Sequence, residues 1–237
     1  MGIRRRRDGT VTIRPVERFA GWPKPALTFL KGLEKDNSKA FFDAHREVYE
    51  TACKEPMLAL VEELERELGP GWNGKMFRIN RDLRFSRDKR PYKENVSAVF
   101  MSSTHAIGHY VQLSHDSLYV GTGSHEMAPD QLTRYRDAVG GKPGEKLVEI
   151  FAALKKKAYE TAEPILKRVP GGYPADHPRA DLLRASSAWV NRTFKPAPWF
   201  HTDEATTRIK ETWRDARPLA AWLDTHVKPT TASQRHR

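Results

Sequence analysis

The sequence predicts an α+β fold in which N-terminal helices pack on an antiparallel sheet, with further helices after the sheet and a long C-terminal helix. Three observations support this class. Apolar residues recur at helical spacing before residue 70, alternate with polar residues between residues 95 and 122, and return to helical spacing after residue 129. Since no segment has the composition of a linker, all these elements are expected to share one domain.

The domain is expected to span residues 19–227 of the 237-residue chain. A basic leader at residues 1–18 is predicted to be irregular, and a basic tail at residues 228–237 is predicted to be disordered. With 38% hydrophobic and 30% charged residues, the composition is that of a globular protein.

Three helices are expected in the first part of the domain. The first begins near Pro25, because proline is well tolerated in the first helical turn. Its apolar stripe consists of Leu27, Leu30 and Leu33. Ser38 is a candidate N-cap for the second helix, which carries Phe41, Phe42, His45 and Tyr49. The third helix has the clearest pattern, formed by Met57, Leu60, Val61, Leu64 and Leu68 and ended by Gly69-Pro70-Gly71.

The later elements follow from the same two periodicities. Alternating residues predict antiparallel strands at 95–101, 108–114 and 117–122. The remaining predicted elements are helices at 129–139, 145–159 and 181–184, a strand at 187–194 and the long C-terminal helix at 202–225.

The net charge of +11 is concentrated in three segments. The leader has a net charge of +4, the tail of +3 and residues 75–93 of +6, which leaves −2 for the rest of the chain. The basic character therefore belongs to two tails and one central motif, and not to the whole surface.

The central motif is predicted to begin as a strand. One face of this strand would carry Phe77, Ile79, Leu83 and Phe85. The opposite face would carry Arg78, Asn80, Asp82, Arg84 and Ser86. A polar run follows at residues 86–93, in which Pro91 disfavours a helical conformation of the residue before it.

This motif predicts binding of a small anionic ligand bearing a phosphate or carboxylate group. Eight Lys and Arg residues face only two Asp residues between positions 75 and 93, and an external anion would relieve their mutual repulsion. Guanidinium groups bind such anions at two points. The predicted ligand-binding residues are Arg78, Asn80, Arg81, Arg84, Ser86, Lys89, Tyr92 and Lys93. If the site is enzymatic, Asp82 or Tyr92 is the candidate proton-transfer group.

Two other interpretations stay open. In one, the motif and the tails form a phosphate-binding track for nucleic acid, with Phe85 and Tyr92 stacking on bases. In the other, the domain binds a partner without catalysis, and the motif is an internal salt-bridge lattice. The charge of −2 elsewhere argues against a continuous nucleic-acid track.

No metal site and no cofactor are expected. His105, His109, His115 and His125 are close in sequence, but their region is predicted to be a hairpin without the carboxylate of a zinc-protease motif, so surface histidines are favoured. Asp176, His177 and Asp181 are compatible with an acid–base pair, although aspartate in such loops commonly forms turns.

Compartment and membrane contact are constrained by composition. No apolar run approaches the roughly 18–20 residues of a membrane span, so no membrane association is expected. The single cysteine, Cys53, excludes an internal disulfide and indicates a cytoplasmic protein. Cys53 itself is expected to be a partly buried small hydrophobe. The oligomeric state is left open.

Three stretches resemble a known family. They are Phe29-Leu30-Lys31-Gly32-Leu33 with Asn37, Phe41, Phe42 and Tyr49; residues 77–93; and Asp176-His177-Pro178 with Asp181-Leu182-Leu183-Arg184. Together they are similar to the bacterial and fungal family of conserved hypothetical proteins called domain of unknown function 2461, over about residues 19–223. The resemblance implies a single α+β domain, a cytoplasmic location and no established activity.

Overall fold

The computed structural model describes residues 18–84 and 88–228, and the backbone alone of residues 3–5 and 11–13. The helices are α1 (Lys24–Lys35), α2 (Lys39–Ala44), α3 (Arg46–Val48), α4 (Glu55–Leu68), α5 (Pro129–Gly140), α6 (Pro143–Lys156), α7 (Ala180–Arg184), α8 (Glu204–Asp215) and α9 (Arg217–His226). A π-helical turn occupies Tyr49–Lys54, and a 3₁₀ turn occupies Pro198–His201.

The strands are β1 (Ile3–Arg5), β2 (Val11–Ile13), β3 (Trp72–Met76), β4 (Asn95–Ser102), β5 (Gly108–Ser114), β6 (Leu118–Ser124), β7 (Glu160–Thr161) and β8 (Ala188–Phe194). β3 to β8 form a six-stranded antiparallel sheet in the order β3-β4-β5-β6-β8-β7. The predicted α+β class is confirmed, with strands β4, β5 and β6 close to their predicted bounds. β1 and β2 pair with each other, whereas the sequence predicted an irregular leader. The predicted disordered tail lies almost entirely outside the described residues.

Alternate residues of the sheet belong to opposite faces. One face carries Ala98, Val111 and Val120, which are fully buried in the main hydrophobic core. The opposite face, called the outer face here, has a central row that consists of Lys75, Val99, Tyr110, Gly121, Asn191 and Glu160. Val99 and Tyr110 belong to neither of the two cores that the described residues form.

Two hydrophobic cores lie on the helical side of the sheet. The first joins α1, α4 and α8 to the sheet through residues that include Leu30, Leu60, Phe100, Val111 and Ile209. The second joins α5, α6 and α9 to β8 through residues that include Tyr135, Leu147, Val190 and Leu219. Trp72 packs against both cores. Burying each large apolar side chain contributes about 1.5–3 kcal/mol, so the two cores account for the main stabilisation of the domain.

A continuous helix runs from α3 through the π-helical turn into α4. Pro56 explains the change of hydrogen bonding within it, because proline has no backbone N–H and its ring crowds the carbonyl four residues earlier. Just before Pro56, the N–H of Glu55 bonds to the carbonyl of Glu50. This contact reaches five residues back and so defines the π turn.

The predicted C-terminal helix at 202–225 consists of two consecutive helices. α8 ends at Asp215 and α9 begins at Arg217, with Ala216 between them. Pro218 lies in the first turn of α9, where proline is tolerated, but it is incompatible with the interior of one continuous helix.

In the described part of the chain, none of the helices combines the length and the apolar character that crossing a membrane requires.

Candidate functional site

The central motif forms an irregular loop, so the predicted strand at its start is wrong. β3 ends at Met76, after which the N–H of Phe77 donates to the carbonyl of Ser97 at 2.9 Å. Residues 77–94 are called the basic loop here, and their described parts, 77–84 and 88–94, fold back on each other. The N–H of Arg81 donates to Pro91 at 2.9 Å, and that of Lys93 donates to Ile79 at 2.8 Å. Beyond Phe77, the backbone N–H groups of Arg81 and Lys93 therefore find their partners within the loop and not in a neighbouring strand.

Asn37 ties the basic loop to the helices. Its Oδ1 accepts from the N–H of Tyr92 at 2.9 Å, and its Nδ2 donates to the carbonyl of Tyr92 at 3.2 Å. The same Nδ2 lies 3.2 Å from the carbonyl of Leu33 in the last turn of α1. One amide side chain thus satisfies backbone groups of both segments.

Tyr92 points into the helical layer. Its ring stacks on Phe42 with the centroids 4.2 Å apart and the planes 13° apart, and its side chain belongs to the main core. Lys93 follows Tyr92 directly, and its Nζ lies 5.0 Å from the ring centroid of Phe77. Tyr92 therefore contributes to the packing of the core, whereas Lys93 contributes positive charge to the loop.

Four residues of the basic loop form an ion-pair network. Asp88 accepts from Nε and Nη2 of Arg90 at 3.0 and 2.7 Å, and these hydrogen bonds hold the pKa of Asp88 well below its usual range. Arg81 Nη1 lies 3.2 Å from the same carboxylate, and Arg90 also pairs with Glu94. Arg81 in addition donates from Nε to the carbonyl of Tyr92 at 2.7 Å. Two of the eight cations of the motif, Arg81 and Arg90, are therefore paired inside the loop, and Glu94 is the one acid of this network that the charge of +6 did not already include.

Arg84 and Lys89 also have partners nearby. Arg84 donates to both carboxylate oxygens of Asp82, which lowers the pKa of Asp82. Lys89 Nζ donates to the carbonyl of Leu83 at 3.2 Å. Of the other predicted ligand residues, Asn80 is exposed and makes a backbone bridge to Tyr92, and Ser86 lies outside the described residues.

Arg78 and Lys93 differ from the other cations of the loop. Burial lowers the pKa of Lys93, and the nearby charges of Arg78 and Arg81 lower it further. Among the described residues, neither Arg78 nor Lys93 has a carboxylate within ion-pair distance, although the charge of Arg78 contributes to the lowered pKa of Asp82. The charges of these two cations thus act on each other, and neither cation has an ion-pair partner among the described residues.

The structure places His109 in the interior, whereas the sequence predicted a surface histidine. Its ring is 6% exposed and lies between the indoles of Trp72 and Trp213, with centroid distances of 4.6 and 4.4 Å. The signal was present in the alternation of β5, since His109 occupies the same face as Val111 and Leu113.

The other histidines of this region lie apart from one another. His105 adopts a positive φ in a turn, His115 lies 3.6 Å from Glu34, and His125 stacks near Trp189. Within the described ranges, no group of three or more His, Cys, Asp or Glu side chains is arranged to hold a metal ion.

The loop just before α7 caps the end of α5. Arg179 donates from Nε to the carbonyl of Val139 at 2.6 Å and from Nη2 to that of Gly140 at 3.0 Å. His177 Nδ1 in turn accepts from the N–H of Arg179 at 3.0 Å. These contacts satisfy the carbonyls at the end of α5 and place a cation at the negative end of the helix. The role of Arg179 and His177 here is therefore to stabilise the fold.

Comparison with known proteins agrees with the fold and the motifs. The family model described as conserved hypothetical protein (DUF2461) matches residues 25–222, which include α1 from its second residue, the basic loop and the cap of α5. The chain belongs to the DUF2461 family. The matched range of DUF2461 covers most of both hydrophobic cores and all six strands of the large sheet. Neither a curated protein nor a solved structure matches the chain.

Proposed function

We propose that this DUF2461 protein binds a small anion bearing a phosphate or carboxylate group at the basic loop. Arg78 and Lys93 hold the anion. The observation that carries the proposal is that neither cation has a carboxylate at ion-pair distance in the described chain, while burial and the charge of Arg78 both lower the pKa of Lys93. A bound anion would stabilise the charged form of Lys93 and offset the repulsion from Arg78.

The surroundings of Lys93 favour a small ligand. Phe77 lies beneath the ammonium group, and its ring centroid is 6.4 Å from that of Tyr110 on the outer face. Tyr110 donates its hydroxyl hydrogen to Gln112 at 2.9 Å. The anion would therefore lie between exposed Arg78 and an edge of polar and aromatic side chains, where hydrogen bonds can fix its orientation.

The proposal assigns binding and no reaction. Asp82 is engaged by Arg84, and Tyr92 is packed on Phe42, so neither candidate for proton transfer is directed by these contacts toward Arg78 and Lys93. Arg81 supports the site from inside the ion-pair network, where it contributes positive charge near Lys93.

The experiment compares melting temperatures in phosphate and in chloride at equal ionic strength. A ligand that binds only the folded state raises the melting temperature by mass action. Phosphate should raise it for the wild type and should have no such effect on the Arg78→Gln/Lys93→Gln variant. The matched control is Arg84→Gln, which removes one cation of the same loop but should keep the response.

Two results would redirect the interpretation. A full phosphate response in the Arg78→Gln/Lys93→Gln variant overturns the assignment of these residues. Tight binding of a single-stranded oligonucleotide that weakens steeply with salt and is lost on removal of residues 1–18 would support the nucleic-acid alternative instead.

A further inference from the structure

A second candidate site lies on the helical side of the sheet. A cavity of about 370 Å³ is bounded by α4, α8 and α9 and by side chains of β3 and β5. Binding sites for small molecules have volumes of roughly 300–1,000 Å³. The cavity is therefore large enough for a small organic molecule, and the basic loop does not contribute to its lining.

Aromatic side chains form one wall of this cavity. Trp72, His109 and Trp213 stack with interplanar angles of 7° and 12° between successive rings. Both faces of His109 are covered by the indoles, so the histidine presents its ring edge to the cavity. Ring edges favour edge-to-face contact with the planar ring of an aromatic ligand.

Two nitrogen atoms of this wall lack hydrogen-bond partners in the described part of the chain. His109 Nδ1 lies 2.6 Å from Thr122 Oγ1, but Nε2 has no partner there. The indole N–H of Trp213 is buried and also unpaired. Nε2 is not among the buried unpaired atoms of the described residues, so it is open to the cavity and can bond to a ligand there.

The rim of the cavity is cationic. Lys210, Arg214 and Arg217 line it together with one acid, Glu67. Glu67 pairs with Lys210 at 3.0 Å. Arg214 and Arg217 are exposed and have no ion-pair partner among the residues that the structure describes. Two guanidinium groups are thus available for a carboxylate, which they bind at two points.

We infer that this cavity binds a small planar organic anion of the aromatic carboxylate class. The ring of the ligand lies against the wall formed by Trp72 and Trp213, and its carboxylate faces Arg214 and Arg217. His109 Nε2 offers a polar contact inside the cavity, whereas the indole N–H of Trp213 is buried behind the wall. This site is independent of the proposed phosphate site and uses none of its residues.

Benzoate is the probe for this inference. Its binding can be followed by the NMR resonance of the Trp213 indole N–H, identified by its absence in Trp213→Phe. Benzoate should shift this resonance saturably. Cyclohexanecarboxylate, which is not planar, and benzyl alcohol, which is not charged, should each bind at least about tenfold more weakly. Inorganic phosphate should leave the resonance unchanged.

Three variants complete the test. Arg214→Gln/Arg217→Gln should weaken benzoate binding by about tenfold or more. Arg66→Gln removes an exposed arginine of α4 that does not line the cavity and should bind as the wild type does. Arg78→Gln/Lys93→Gln should also keep benzoate binding, which separates this site from the basic loop. Absence of a saturable shift in the wild type, or equal binding in Arg214→Gln/Arg217→Gln, overturns the inference.

Discussion

Arg84 and Asp82 form a two-point ion pair on the surface of the basic loop. Nε of Arg84 lies 2.9 Å from Oδ1 of Asp82, and Nη2 lies 2.6 Å from Oδ2. The side chains are 76% and 46% exposed. Water screens a pair of this kind, so its good geometry contributes little to the stability of the fold.

Replacing Arg84 with Met should therefore leave the melting temperature of the protein nearly unchanged. The phosphate response should also persist, because the proposed anion contacts are made by Arg78 and Lys93. Thermal unfolding of Arg84→Met with and without phosphate checks both statements. A large fall in melting temperature without ligand would mean that the surface pair stabilises the fold far more than its exposure predicts.

Arg81→Met should have a much larger effect than Arg84→Met. The guanidinium of Arg81 is 26% exposed and bonds both to the carbonyl of Tyr92 and to the carboxylate of Asp88. Losing hydrogen bonds from a charged group of this kind should lower the free energy of unfolding by about 1.5–3 kcal/mol. Urea unfolding of the two variants side by side measures the difference. Equal unfolding midpoints would contradict the prediction that Arg81 stabilises the fold more than Arg84 does.

Acid should destabilise the protein through His109. Burial lowers the pKa of His109 to about 3, whereas its pKa in the unfolded chain is about 6.5. The unfolded state therefore binds the proton first as the pH falls. The stabilisation is fully present above about pH 6.5 and is lost toward about pH 3, by at most about 1.4 kcal/mol per pH unit.

The measurement is the free energy of unfolding between about pH 4.5 and 6.5, above the range in which carboxylates with lowered pKa values lose their contribution. The comparison is His109→Phe/Thr122→Val, which keeps a ring between the indoles and leaves no hydroxyl without its partner. This variant should show a flatter pH dependence than the wild type. Parallel curves would exclude His109 as the titrating group.

Cys53 should be unreactive in the folded protein. It is fully buried, which corrects the expectation of partial burial, and burial raises the pKa of its thiol to about 12. Alkylation by iodoacetamide requires the thiolate and access, so its rate should follow unfolding. Rapid modification under native conditions would contradict this. Cys53→Ser should destabilise the fold by about 1–3 kcal/mol, because the hydroxyl enters an apolar site.

The regular elements were predictable from local periodicity. In the predicted stripe of α4, Met57, Leu60, Val61 and Leu64 are buried, and Leu68 is partly buried. Ser38 caps α2 as predicted, since its Oγ accepts from the N–H of Phe41 at 3.1 Å. These features depend on residues a few positions apart, which is the range that helical spacing and capping rules describe.

The conformation of the basic loop could not be predicted by rules of local spacing. The alternation from Phe77 to Phe85 predicted a strand, but a strand also needs a neighbour with free backbone groups. The pairing of β3 with β4 ends at Met76 and Ala98, and Ile79 then bonds to Lys93 within the loop. The choice between internal pairing and a neighbouring strand depends on tertiary contacts, which alternation does not encode.

The cavity could not be predicted from the sequence for a related reason. Trp72, His109 and Trp213 come from β3, β5 and α8, and only the packing of α8 on the sheet brings their rings together. The sequence indicated that His109 shares a face with apolar residues, but it did not indicate the two indoles beside it.

The π-helical turn before α4 constrains the number of residues in the continuous helix that runs from α3 to α4. Tyr49, Ala52 and Cys53 are buried within the turn, and Met57 and Leu60 are buried after it. Each residue of an α-helix turns the side-chain direction by about 100°. Deleting one residue here would therefore rotate one of the two buried sets out of the core. This helix should tolerate exchange of its exposed side chains while rejecting any insertion or deletion, so that the number of residues in it matters more than the identity of many of them.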